Sequence, residues 1–275
     1  MEVYFLEKEK TDNKSFLIQL AGHIFEIEPM YEYIKTYCKD YLVTTEYGYK
    51  WSKSNSKFYI HIKTCLEDIE FERDKSKKED IKEGILIRQF SNEYLETLAI
   101  YRKIADALLK YNIILFHGSV IAVDGEGYLF TARSGTGKST HTRLWKKYFG
   151  SRAIMVNDDK PLLKIEDESV IAYGTPWNGK HHLSTNIGVP LQAICVLNRD
   201  TENHMERLSN KEAYPMIIQQ TNRSLIKDNM LITLHHIDKM INNVPIYKLG
   251  CNMELNAVEV AYKEIQKNKM MNRKN

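Results

Sequence analysis

The apolar run Gly127-Tyr128-Leu129-Phe130-Thr131 passes directly into Ala132-Arg133-Ser134-Gly135-Thr136-Gly137-Lys138-Ser139-Thr140. A strand that empties into a glycine-rich turn closed by Lys-Ser leaves few choices for the chain around it. Glycines allow the positive-φ backbone that points successive N–H groups into one concavity. A helix that starts at the lysine adds its free N-terminal amides to that concavity. In such a cradle the lysine reaches the β- and γ-phosphates of a nucleotide, and the serine hydroxyl takes a divalent cation. Ser134 through Thr140 are therefore the candidate nucleotide-binding residues, with Ala132 where the strict pattern has glycine.

The pattern around the loop predicts an α+β fold. Asp124-Gly125-Glu126-Gly127 carries hairpin-turn chemistry, so the strand feeding the loop pairs antiparallel with the one before it. Ordinary nucleotide-binding folds have a parallel crossover at that point. Upstream, a helix from Ser91 to Asn112 aligns Leu95, Leu98, Ile104 and Leu108. A strand over Ile113–Phe116 follows and is read as continuing through His117-Gly118 into Val120–Val123. Downstream the readings are a helix over Lys138–Phe149, with Leu144, Trp145 and Tyr148 as its apolar members, and a buried strand Ala153–Val156 ending in Asn157-Asp158-Asp159. A hairpin over 161–173 comes next, then a strand at Leu191–Leu197, helices at Ser209–Thr221 and Ile226–Ile241, a strand at Pro245–Leu249 and a helix at Glu254–Gln266. Residues 267–275 read as a basic, frayed tail.

Residues 1–90 alternate apolar and polar positions in short runs: Val3–Leu6, Phe16–Leu20, His23–Ile27 and Lys57–Ile62. Polar turns at Asp12–Ser15 and Ser52–Ser56 separate them, which predicts a β-rich N-terminal region of unknown role. Glu67 to Glu83 is crowded with charge and reads as a loop or linker, a short solvated helix being the alternative. The domain expectation is thus 1–90, then an ATP-binding catalytic domain over 91–266, then the tail.

Charge and cysteine content narrow the function. Residues 1–100 carry 15 Lys+Arg against 19 Asp+Glu, and the other 175 carry 24 against 17. A positive second part suits a polyanionic nucleotide or an acidic partner, but its charges are too dispersed for nucleic acid. No apolar stretch is long enough for a bilayer and no signal peptide opens the chain, so a cytoplasmic protein is expected, away from membranes. Cys38, Cys65, Cys195 and Cys251 form no CxxC pair and read as free, mostly buried thiols.

Two carboxylates, Asp158 and Asp159, stand at the end of the strand that follows the loop, where a magnesium ligand belongs in a phosphate-loop protein. On an extended strand the two point to opposite sides, one toward a metal and one toward an incoming nucleophile. The competing reading is an Asx turn that merely caps the strand. His117 ends a neighbouring strand and can share or relay a proton with an aspartate. The segment Gly174 to His182 reads as a mobile loop in which Lys180 reaches phosphate. Neither His181-His182 nor His235-His236 has the spacing of a metal site. Arg133, inside the phosphate loop, is a candidate contact for nucleotide or substrate.

His117-Gly118, the run Ser134 to Ser139 and Asp158-Asp159, in that order, resemble the bacterial HPr kinase/phosphorylase catalytic domain. Its relatives include phosphoenolpyruvate carboxykinase and the kinases of lasso-peptide precursors. The resemblance covers about residues 110 to 266. It implies a P-loop core with a mixed, partly antiparallel sheet, and a kinase that transfers the γ-phosphate of ATP to a serine of a peptide or small protein, a lasso-peptide precursor or an HPr-like protein. It further implies that Lys138 and the backbone from Gly135 to Ser139 hold the triphosphate. Ser139 and Asp159 would hold Mg²⁺ or Mn²⁺, and Asp158 would accept the hydroxyl proton with His117 beside it. The roles of the two aspartates are interchangeable at this level. A small-molecule kinase and a non-catalytic nucleotide-binding module are the alternatives, and a homo-oligomer is left open.

Overall fold

Alternation decides the first strands. The computed structural model describes residues 15–43, 59–133, 135–222, 224 and 226–272. The runs expected at Val3–Leu6, at Asp12–Lys14 and at 52–58 lie outside the described residues. The chain divides into two compact units at residue 104.

In the first unit β1 (Phe16–Leu20) buries Phe16, Ile18 and Leu20 and pairs antiparallel with β2 (His23–Glu28). Ala21 and Gly22, at φ 48° and 79°, form the two-residue turn between them. A short helix α1 (Tyr33–Tyr37) follows, and β3 (Ile60–Lys63) adds parallel to β2. The charged segment is a helix, α2 (Leu66–Glu83), not a loop. It has almost no apolar stripe, and its order comes from charge and caps. The Asp68 carboxylate accepts from the Cys65 N–H at its start, and Gly84 ends it in the left-handed region at φ 68°. Helix α3 (Asn92–Leu108) supplies Arg102, whose guanidinium meets Glu72 at 2.6 Å and Asp68 at 3.2 Å. The buried Glu96 carboxylate accepts from Met30 N–H, Tyr31 N–H and the Thr64 hydroxyl.

The second unit is a mixed sheet between two helical layers. Asn112 stops the preceding helical turn at φ 60°, as expected. Then come β4 (Ile113–Leu115), β5 (Ser119–Val123), β6 (Glu126–Thr131), helix α4 (Lys138–Phe149), β7 (Ala153–Asn157), β8 (Leu162–Ile165), β9 (Val170–Tyr173), β10 (Gly188–Arg199) and β11 (His204–Arg207). Helices α5 (Asn210–Gln220) and α6 (Lys227–Asn243), strand β12 (Ile246–Cys251) and helix α7 (Asn256–Asn272) complete it. The path of pairing runs β4-β8-β9-β10-β6-β5-β7, with β12 joined to β10 and β11 to β12. β6, β10 and β12 are parallel; β5 runs against both β6 and β7, so β7 shares the direction of β6.

Side-chain alternation creates the two layers. Val120, Ala122, Leu129 and Ile194 face one core with α5 and α6; Ile121, Tyr128, Phe130, Ala193 and Cys195 face the other with Trp145 and Phe149 of α4 and Val258 and Ile265 of α7. Tyr148, expected on the buried face of α4, is exposed; His141, Trp145 and Phe149 form that face. Two further expectations are corrected. β4 and β5 are separate strands, because β4 pairs with β8 whereas β5 pairs with β6 and β7, and His117-Gly118 makes the passage between them. The tail is helical through Asn272, since Ile265 is buried and Lys269 pairs with Glu126 on β6. All four cysteines are free; Cys38 and Cys195 are buried and Cys65 is exposed. Among the described residues no helix is long and apolar enough to cross a membrane.

Candidate functional site

The hairpin β5–β6 turns on Asp124 and Gly125, at φ 52° and 82°, and delivers β6 to the glycine-rich loop antiparallel to β5, as expected. In the loop Gly135 has φ 76° and Gly137 φ 121°, and a Cβ built on either would meet nothing within 4 Å. Both glycines therefore open onto empty space, and at these angles a side chain would be strained. Ser134 lies outside the described residues. Arg133 is exposed.

Helix α4 begins at Lys138, whose side chain is 9% exposed and donates to the Ala132 carbonyl at 3.1 Å. Burial pushes the Lys138 ammonium below its ordinary pKa, against the opposing charges of Asp159 and Asp158. Among the described residues this neutral carbonyl is the hydrogen-bond partner of a buried cation, which is costly, and an anion in the loop would relieve that cost.

The two aspartates are held by an Asx turn. The buried Asn157 ends β7, and its Oδ1 accepts from the N–H groups of Asp159 at 2.9 Å and Lys160 at 2.6 Å. Its Nδ2 donates to Thr175 Oγ1 and to the Thr175 carbonyl, both at 3.0 Å. The turn and the paired carboxylates are thus one structure, and the turn aims the carboxylates. Asp158 is 5% exposed. Burial raises its pKa, opposed by hydrogen bonding from Ser119 and Ser139. Its Oδ1 is buried with no hydrogen-bond partner among the described residues. Asp159 behaves oppositely: burial pushes it up, but the hydrogen bond from His117 and the charges of Lys160, His117 and Lys138 outweigh burial and hold it below its ordinary value.

His117 faces Asp159 rather than Asp158. Its Nε2 lies 3.4 Å from Asp159 Oδ1, and its Nδ1 lies 2.9 Å from Gln220 Oε1. The backbone ties the same elements together. Gly118 N–H donates to the Asp159 carbonyl at 2.9 Å, and the Ser119 hydroxyl donates to the Asp158 carbonyl at 2.9 Å. The Gly174–His182 loop is packed rather than loose, with Thr175, Trp177 and Asn178 buried. Gly179 lies against Asp159, where a Cβ would come within 3.1 Å of the Asp159 Cβ. Gln220 and Arg199 were silent in the sequence, because each acts through a partner dozens of residues away. Arg199 donates to the Gly135 carbonyl at 2.5 Å and to the Thr136 carbonyl at 3.1 Å.

Among the described residues no group of three or more His, Cys, Asp or Glu is arranged to hold a metal. Mg²⁺ asks less of a protein, since one or two carboxylates suffice when phosphate oxygens and water complete its shell. The orphaned Asp158 Oδ1 beside Ser139 fits that requirement.

Fold and site together define an α+β protein with a mixed sheet, on whose strand ends a lysine, a serine, two aspartates and a histidine converge. The chain belongs to the ScmC family: the family described as SynChlorMet cassette protein ScmC matches residues 86–263. No curated protein matches the sequence. Among solved structures the chain is similar to the Hpr(Ser) kinase/phosphatase from Coxiella burnetii, at 11% identity and a TM-score of 0.34, over 58% of this chain and 96% of that one.

Proposed function

We propose that the protein is an Mg²⁺- and ATP-dependent phosphotransferase, with residues 91–266 as its catalytic part. Its acceptor is a hydroxyl, most simply the serine of a peptide or small protein. The observation that carries this reading is the buried pair of Lys138 and Asp158 Oδ1, the first with no anionic hydrogen-bond partner and the second with no partner among the described residues, beside a loop whose glycines open onto empty space. The peptide acceptor rests on the sequence resemblance to precursor-peptide kinases, and membership of a cassette family fits a dedicated partner.

Of the two assignments left open by the sequence, the contacts favour the exchange. Ser139 and Asp158 would hold Mg²⁺, which when bound neutralises phosphate charge. Lys138 and the loop amides hold the triphosphate. Asp159, held ionised by His117, is positioned to take the acceptor's proton as the acceptor oxygen bonds to the γ-phosphorus and the bond to the β-phosphate oxygen breaks, releasing ADP.

Variants of the full chain test this with radiolabelled ATP and candidate serine peptides. Lys138→Ala abolishes turnover. Asp159→Asn keeps ATP affinity within about threefold and lowers transfer by roughly 10²–10⁴-fold, the range of a lost general base. Asp158→Asn raises the Mg²⁺ concentration needed for half-maximal activity. Near-normal transfer by Asp159→Asn refutes the base assignment, and turnover by Lys138→Ala refutes the enzyme.

A further inference from the structure

Arg143 lies one turn into α4. Its Nε donates to the Ser139 carbonyl at 3.0 Å, and its Nη2 meets His181 Nε2 at 3.3 Å. Side chains on a helix lean toward its N-terminus, so the guanidinium is folded back over the turn that carries Lys138 and Ser139. A guanidinium only donates, so His181 meets it with the lone pair of Nε2.

His181 closes the turn Gly179–His181 in the loop that packs on the aspartates. Gly179 of that turn presses on Asp159, and the Leu183 carbonyl just beyond it accepts from Asp158 N–H at 3.1 Å. Arg143 therefore spans from the first turn of α4 to the wall that holds both carboxylates. Among the described residues no carboxylate lies within ion-pair distance of it, and its Nη1 has no partner. A cation oriented by two neutral acceptors, with a planar fork left over, is matched to phosphoryl oxygens.

We propose that Arg143 binds the transferring phosphoryl group in this site, and that His181 is its positioning residue. The inference rests on the phosphotransferase reading above. The charge that develops on the phosphoryl oxygens during transfer is then met by Lys138 from one side and Arg143 from the other.

The test uses the full chain with Mg²⁺-ATP, following ADP release with water or a serine peptide as acceptor, and ATP affinity by calorimetry. Arg143→Ala lowers turnover by about 10²–10³-fold, the range for removal of one preorganised donor, while ATP affinity changes by less than about threefold. Arg143→Lys keeps the charge but not the fork and recovers less than about a tenth of the activity. His181→Ala loses about tenfold, and His181→Gln, which offers an amide oxygen to the guanidinium, restores most of it. A folded Arg143→Ala protein with parental turnover overturns the proposal, and so does an affinity loss equal to the turnover loss. Absence of any ADP release from the parent protein, with ATP still bound, overturns the phosphotransferase reading and this inference with it.

Discussion

His141 shows how one side chain ties the site's helix to pH. Its Nε2 accepts from Trp145 Nε1 at 3.0 Å, so its proton sits on Nδ1, which is buried without a partner among the described residues. Burial lowers its pKa from the ordinary 6.5 to about 4. The unfolded chain therefore binds a proton between those two values where the folded chain does not. The stabilisation is complete above pH 6.5 and is lost as pH falls toward 4, by about 3 kcal/mol at 1.36 kcal/mol per unit. Urea unfolding at pH 7.5, 6, 5 and 4.5, without nucleotide or metal, measures it. His141→Gln keeps an acceptor for Trp145 and is expected to flatten this part of the curve. Identical pH dependence in the two proteins rules the account out. Motif spacing singles out the lysine, the serine and the aspartates as candidates, and His117 enters from its place at a strand end. Neither signal marks His141, whose role depends on the ring of Trp145 one turn away and on a layer of β6 above it.

At the scale of elements, local physics was legible and tertiary pairing was not. The Asp124-Gly125 hairpin, the Ser209 cap with its reciprocal Glu212 contacts, and the Asn112 stop all follow from short-range rules. The helix α2 was hidden because it lacks an apolar stripe and is held by ion pairs, including those from Arg102 some thirty positions on. The break between β4 and β5 was hidden because both are apolar, and only their different partners separate them. The same holds for Arg199, which reaches the glycine-rich loop from the end of β10. A peptide unit is planar, with C=O and N–H on opposite sides. The Thr136 N–H donates to the Arg133 carbonyl within the loop, so holding the Thr136 carbonyl against Arg199 turns the following Gly137 N–H to the other side, away from Arg199. Arg199→Ala is expected to weaken ATP binding by about tenfold while leaving turnover at saturating ATP within about twofold, the pattern of lost uniform binding. Calorimetry beside steady-state kinetics reads the two quantities separately, and an unchanged ATP affinity rules out the latch.

For the molecule as a whole, the loop after β6, the turn after β7 and the passage into β5 come together because β5 runs against both neighbours. Its start therefore lies beside their ends, at one edge of the sheet. The residues gathered there carry poorly compensated charge: Lys138 is desolvated, and Asp158 Oδ1 is buried with no hydrogen-bond partner among the described residues. On the reading proposed above, Mg²⁺-ATP would relieve both and so stabilise the folded state by mass action, about 2.7 kcal/mol at a hundred times Kd. The unit from residue 105 onward is of a size at which each kcal/mol moves the midpoint by about 2–4 °C, so a rise of roughly 5–10 °C is expected. Trp145 and Trp177, both buried in that unit, report the transition by fluorescence. ATP without Mg²⁺ gives a smaller rise, and Lys138→Ala gives almost none. The same rise in Lys138→Ala as in the parent would show that ATP binds elsewhere on the chain, because a nucleotide held in this loop must meet the Lys138 ammonium.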